Sequence, residues 1–101
     1  MSAKKKLIRS AFREAVLLRD GNRCRICKRD EGALDAHHIT DRDVMPNGGY
    51  VTENGISLCG ECHLAAERAE KSDKTFGPDT LYMLIGSDLN RAYEASKKLL
   101  L

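Results

Sequence analysis

The chain has no tryptophan and only two phenylalanines and three tyrosines among its 101 residues. With so few large rings, its interior has to be small and mostly aliphatic. Only two prolines are present, which argues against wholesale disorder. No apolar run approaches the roughly 20 residues that span a bilayer, and residues 1–6 lead into an amphipathic stretch instead of a secretion-signal core. These absences lead us to expect a cytoplasmic protein without a membrane partner. The remainder, 42% hydrophobic and 32% charged, suits a single globular domain over residues 1–101.

The net charge of +2 conceals a segregation. Residues 1–29 hold ten lysines and arginines against Glu14 and Asp20, so the rest of the chain is acidic. Basic residues this dense form an electrostatic footprint for phosphate, and Lys4, Lys5, Lys6, Arg9 and Arg13 become candidate DNA contacts. A solvated helix face is the commoner explanation of any one such run.

Ile8, Phe12 and Val16 recur every four residues, predicting a helix over Leu7 to Arg19, with Ala11, Ala15 and Leu17 or Leu18 widening its stripe. Gly21 and Asn22 end it. A tight knuckle is expected at Cys24 to Lys28, then a short strand from Leu34 to Ile39. Turn-forming Pro46 and Asn47-Gly48-Gly49 lie within the segment Asp41 to Glu53, before a second strand over Gly55 to Leu58. Helix formers from Glu61 to Lys71 complete a β-loop-β-α order. Beyond it, Pro78 opens a helix through Ile85, and Ser87 caps another from Asp88 to Leu99.

All four cysteines lie in two Cys-x-x-Cys pairs, Cys24/Cys27 and Cys59/Cys62. Two intervening residues let both thiolates of a knuckle face one ion at about 2.3 Å, and two knuckles close a tetrahedral sulfur site suited to zinc. Disulfides would require an oxidising compartment, and a redox motif would need only one pair. Four protein ligands leave no open position, so this zinc is structural and the chemistry lies elsewhere.

The three histidines cluster around this framework. His37 and His38 are neighbours on the first strand and face opposite sides of it, while His63 follows the last cysteine. Glu67 lies one helical turn beyond His63, on the same face. Imidazole and carboxylate donors with water would suit magnesium or manganese and would also admit zinc or nickel. Asp41 and Asp43 lie on the nearby loop, where solvated carboxylates are common.

Asp35-Ala36-His37-His38-Ile39, followed by Asn54-Gly55-Ile56-Ser57-Leu58 and Cys59-Gly60-Glu61-Cys62-His63, resembles the HNH endonuclease family in its four-cysteine zinc variant. The resemblance runs from about Phe12 to Glu67. It implies an α+β fold: a small ββα-metal core, of the His-Me finger type, over residues 12–70, with flanking amino- and carboxyl-terminal helices, the latter in an extension over 76–101. It further implies that His37 and His63 bind a catalytic divalent cation, His38 activates water, and Asn54 orients that base. Colicin-type relatives carry another ligating histidine at the Glu67 position, which leaves open whether Glu67 binds directly or through water. Other members place aspartate where His37 stands.

The implied activity is metal-dependent phosphodiester hydrolysis, with nicking of one strand of duplex DNA. A monomer is expected, with Leu99-Leu100-Leu101 as an apolar contact if a dimer forms. A noncatalytic DNA-binding knuckle is the principal rival. A scaffold for an acidic protein partner is another. Both leave the three histidines without a task.

Overall fold

The computed structural model describes residues 3–69 and 76–99. Helix α1 spans Ala3–Arg19 and buries Phe12, Val16 and Leu17. It begins before the expected Leu7, because Ala3 to Lys6 are exposed and contribute helix propensity without apolar periodicity. Its buried stripe is narrower than expected. Ala11, Ala15 and Leu18 face solvent, since α1 meets the rest of the chain along one side only.

Strands β1 (Leu34–His38) and β2 (Gly55–Cys59) form an antiparallel pair in which His37 faces Ile56 and His38 faces Gly55. β1 ends before Ile39, whose amide instead bonds the Asn54 carbonyl. β2 is buried along its whole length, whereas Asp35 on β1 is exposed. Gly55 is required by close approach: a Cβ there would lie 2.5 Å from Val16 and 2.8 Å from Phe12. Helix α2, Gly60–Ala69, follows β2 directly. The expected continuation of this helix to Lys71 lies outside the described residues, as do Leu100 and Leu101 of the apolar tail.

The loop between the strands contains two 3-10 turns, Pro46–Gly49 and Thr52–Asn54. Helices α3 (Pro78–Leu84) and α4 (Leu89–Lys97) close the fold. Asp88, rather than Ser87, caps α4, accepting a hydrogen bond from the Arg91 amide at 2.8 Å. Ser87 is engaged elsewhere, its hydroxyl donating to the Glu53 carbonyl at 3.0 Å. The core joins Leu17, Leu34, Ile39, Ile56 and Leu58 to Ala66, Leu81, Tyr82 and Ala92, linking every helix to the hairpin. No helix among the described residues is long and apolar enough to cross a membrane.

The end of α1 is fastened to β2 by a polar node built on the buried Asp20 and the partly exposed Arg19. Arg19 donates to the Thr52 and Gly55 carbonyls and pairs with Asp20, whose carboxylate also accepts from the Ser57 amide at 2.9 Å. Burial alone would raise the Asp20 pKa, but hydrogen bonds from Arg19 and Ser57 outweigh it and lower the value below 3.8. The carboxylate therefore contributes stability at pH above about 4, and that contribution is lost as pH falls through the lowered folded-state pKa. We expect Asp20→Asn to cost about 3 kcal/mol and to flatten the acid limb of stability. Urea unfolding between pH 3 and 7 checks this; an unchanged midpoint at pH 7 would show the node to be dispensable.

Candidate functional site

The knuckle after α1 is a hydrogen-bonded turn in which the Lys28 amide returns to the Cys24 carbonyl and Lys28 takes a left-handed conformation, φ 68°. The turn aims Cys24 and Cys27 at the end of β2 and the start of α2, where Cys59 and Cys62 lie. All four sulfurs lie within 4.8 Å of one another. The Cys27 and Cys59 sulfurs are 3.7 Å apart, close to the ~3.8 Å edge of a tetrahedron with 2.3 Å metal–sulfur bonds. Burial alone would raise the Cys24 pKa, but amide hydrogen bonds from Cys27, Cys59 and Ile26 bring it down to about 6, favouring the thiolate that metals bind. Burial and the neighbouring thiols push Cys62 up. The cluster can hold a metal ion, as the spacing predicted.

Adjacent strand positions send the two histidines apart. His38 stacks on Phe12 of α1, with ring centroids 4.4 Å apart and planes at 21°, and Tyr50 meets it edge-on at 4.8 Å. His37 packs towards α2, its ring 5.0 Å from that of His63. Burial lowers both pKa values to about 4, with smaller electrostatic contributions from His63 at His37 and from Arg42 and His37 at His38. Both rings are thus neutral at pH 7. Their Nε2 atoms are buried without a hydrogen-bond partner. Such atoms are costly to leave unmet, which marks them as candidates for a ligand or reactant.

A cavity of about 330 Å³ brings together His37, His38, Asp41, Arg42, His63 and Glu67. His63 faces a carboxylate at each ring nitrogen: Asp35 lies 2.9 Å from Nδ1 and Glu67 lies 3.3 Å from Nε2. A neutral imidazole has one N–H and can donate to only one of them. With Nδ1–H given to Asp35, Nε2 presents a lone pair beside Glu67, an arrangement that a shared cation satisfies. His37, His63 and Glu67 therefore fit a divalent ion by donor chemistry. Among the described residues, only the cysteines already sit as a group of three or more donors within metal-binding distance.

Asn54 is fully buried and is bonded on every side. Its Nδ2 donates to the Thr40 and Gly49 carbonyls, and its Oδ1 accepts from the Thr40 amide and the Tyr82 hydroxyl. These bonds hold the loop just beyond His38, so any influence on that ring passes through the backbone. Of the basic residues expected to meet DNA, Lys4, Lys5, Lys6 and Arg9 are exposed on α1, whereas Arg13 donates to the Leu34 carbonyl at 3.1 Å.

Sequence reasoning missed Asp35 as the partner of His63. Its signal was period two: it shares a strand face with His37. It also missed Arg42 and Tyr50, which lie in the loop beside His38.

A knuckle, an antiparallel hairpin and a helix around one donor cluster, with a four-cysteine cluster beside it, make this a small α+β protein of the ββα-metal class. Residues 24–68 match the family model for HNH endonuclease, confirming over that stretch the family resemblance read from the sequence. Neither the curated proteins nor the solved structures gave a match. The matched stretch holds every cysteine and histidine together with Asn54 and Glu67. The match points to nuclease activity on nucleic acid for this stretch of chain.

Proposed function

We propose that the chain is a DNA endonuclease that nicks one strand of a duplex, with His38 as general base and His37, His63 and Glu67 as holders of a catalytic divalent cation, magnesium or manganese first. The observation that carries this reading is the pair of buried, unpartnered imidazole nitrogens on adjacent strand residues. A knuckle used only for binding would have no reason to leave both atoms unmet.

The ion, when bound, supplies Lewis-acid stabilisation of charge on the phosphate. The chain's own residues do the rest. His38, neutral between Phe12 and Tyr50, accepts a proton from water as that water attacks phosphorus and the bond from phosphorus to the 3′ oxygen breaks, that oxygen leaving with the bonding electrons. The two aromatic neighbours exclude bulk solvent from one side of the ring and fix its plane. His37 offers a deprotonated nitrogen because burial keeps it neutral. Asp35 accepts the Nδ1 proton of His63, fixing the tautomer and turning Nε2 towards Glu67. Asn54 fixes the loop that follows His38. Cys24, Cys27, Cys59 and Cys62 would hold a zinc ion that would staple the knuckle to α2, where His63 lies.

One histidine base and one cation site serve one phosphodiester, and the antiparallel strand would need a second, symmetry-related site. On supercoiled plasmid with magnesium or manganese, open circles should accumulate before linear product appears. Linear product formed without a nicked precursor would exclude a single-site monomer, and no cleavage with any divalent ion would defeat the catalytic reading.

A further inference from the structure

The loop between the strands is built to hold one tyrosine and one arginine beside His38. Asn47 takes a left-handed conformation, φ 54°, and its Nδ2 donates to the Ser96 carbonyl at the end of α4, 3.0 Å away. Gly48 follows at φ 80°, and a Cβ there would lie 2.7 Å from the Tyr50 ring, so only glycine lets that ring lie against the backbone. Gly49 is tied by its carbonyl to Asn54. A surface loop tied down at Asn47 and Gly49, with Tyr50 packed over Gly48 between them, is preorganised.

Around Tyr50 the charge is concentrated. Arg42 Nη1 donates to the Tyr50 hydroxyl at 3.1 Å. Burial would raise the phenol's pKa, but Arg42 and Arg9 outweigh it and lower the value. Arg9, on α1, lines the same two cavities as Tyr50 and Arg42, so guanidinium groups from two separate segments of chain border the hydroxyl's surroundings. The cavity they border, about 430 Å³, is lined by Lys5, Arg9, Arg42, Asn47 and Tyr50, with Asp43 as its one carboxylate. A second cavity of about 400 Å³ shares Arg9, Arg42 and Tyr50 and continues to Arg13, His38 and His63. Arg42 also lines the cavity that holds His37 and Glu67. The three cavities therefore share walls, in a path leading from the histidines to the basic face of α1.

We propose that Arg9, Arg42 and the Tyr50 hydroxyl form a subsite for a DNA backbone phosphate, the one neighbouring the phosphate presented to His38 on the same strand. Two guanidinium groups and a hydroxyl provide the converging donors that phosphate oxygens accept. The tyrosine's place is set by His38, whose ring centroid is 4.8 Å away. A strand held at Tyr50 is thereby registered against the base. The subsite rests on the nuclease reading for its substrate, but it is testable as binding alone.

The probe is a fluorescein-labelled 20-base-pair duplex, titrated with the full chain in EDTA-treated buffer at several salt concentrations. EDTA at a level that leaves the folded chain's circular dichroism unchanged suppresses cleavage. Arg42→Gln should weaken binding about 10-fold and reduce the salt slope by about one. Tyr50→Phe keeps the ring against His38; it should weaken binding about 3-fold and leave the slope alone. If the two serve one phosphate, the double variant should lose less than the product of the single losses. Arg91→Gln, which removes an equal charge from the exposed start of α4, should bind as the wild type does. Wild-type slope and affinity in Arg42→Gln, or the same loss in Arg91→Gln, would overturn the subsite. Failure to nick plasmid, with these binding differences intact, would overturn the catalytic reading and leave the subsite standing.

Discussion

Cys59→Ser will leave the chain largely unfolded at 25 °C and without bound zinc. Zinc held by four thiolates contributes about 10–16 kcal/mol to folding in small peptides, comparable to or larger than the whole stability of an ordinary domain, about 5–15 kcal/mol. Little else here can substitute. The core is aliphatic and small, and the cluster joins three pieces of chain: the knuckle after α1, the end of β2 and the first turn of α2. Without the ion, the Cys27 and Cys59 sulfurs, 3.7 Å apart, are held by no more than a weak thiol hydrogen bond. Far-ultraviolet circular dichroism of the variant, beside metal analysis of the wild type, decides the matter. A folded, metal-free Cys59→Ser chain with full activity would remove the structural role.

His38→Ala will lower the cleavage rate by at least 10²–10⁴-fold, the usual contribution of a positioned general base, while duplex affinity changes less than about 2-fold. The asymmetry follows from the role. A base acts on water in the transition state and adds little to ground-state binding. The ring also fills space between Phe12 and Tyr50, so the variant's melting temperature has to be measured beside its rate. Single-turnover cleavage at saturating enzyme separates chemistry from binding. A His38→Ala chain that cuts at the wild-type rate while remaining folded would exclude this imidazole as the base.

Much of the arrangement could be read from local pattern. Cys-x-x-Cys spacing lets two thiolates face one point, and both pairs do so, but only Cys24/Cys27 forms a knuckle turn, while Cys59 and Cys62 sit at the end of β2 and in the first turn of α2. Period two separated His37 from His38, and the structure places them against α2 and α1 respectively. Period 3.6 found α1 but overestimated its buried width, because a pattern does not say how many sides a helix packs on. What escaped depends on contacts between distant residues. Asp35 meets His63 across 28 positions, and Tyr82 meets Asn54 across another 28. The Arg19–Asp20 node escaped for the same reason: two charged residues at a helix end look solvated until β2 is laid over them. Arg42 and Tyr50 were hidden in a loop whose shape depends on Asn47 reaching α4.

The bonds around Asn54 separate two things that sequence comparison treats as one. The family match ends at residue 68, but the Tyr82 hydroxyl that donates to Asn54 belongs to α3, and the carbonyl that secures Asn47 belongs to α4. Since Tyr82 gives its one proton to Asn54, the Thr40 hydroxyl 2.6 Å away must donate to Tyr82, so the turn after His38 is closed from outside the matched stretch. At the other end, Arg19 grips the Thr52 and Gly55 carbonyls from before that stretch begins. The length of chain by which the family is recognised is therefore shorter than the length that holds its own loop in shape. A transplant of residues 24–68 into another host would carry the signature and leave behind the fastenings that give it form.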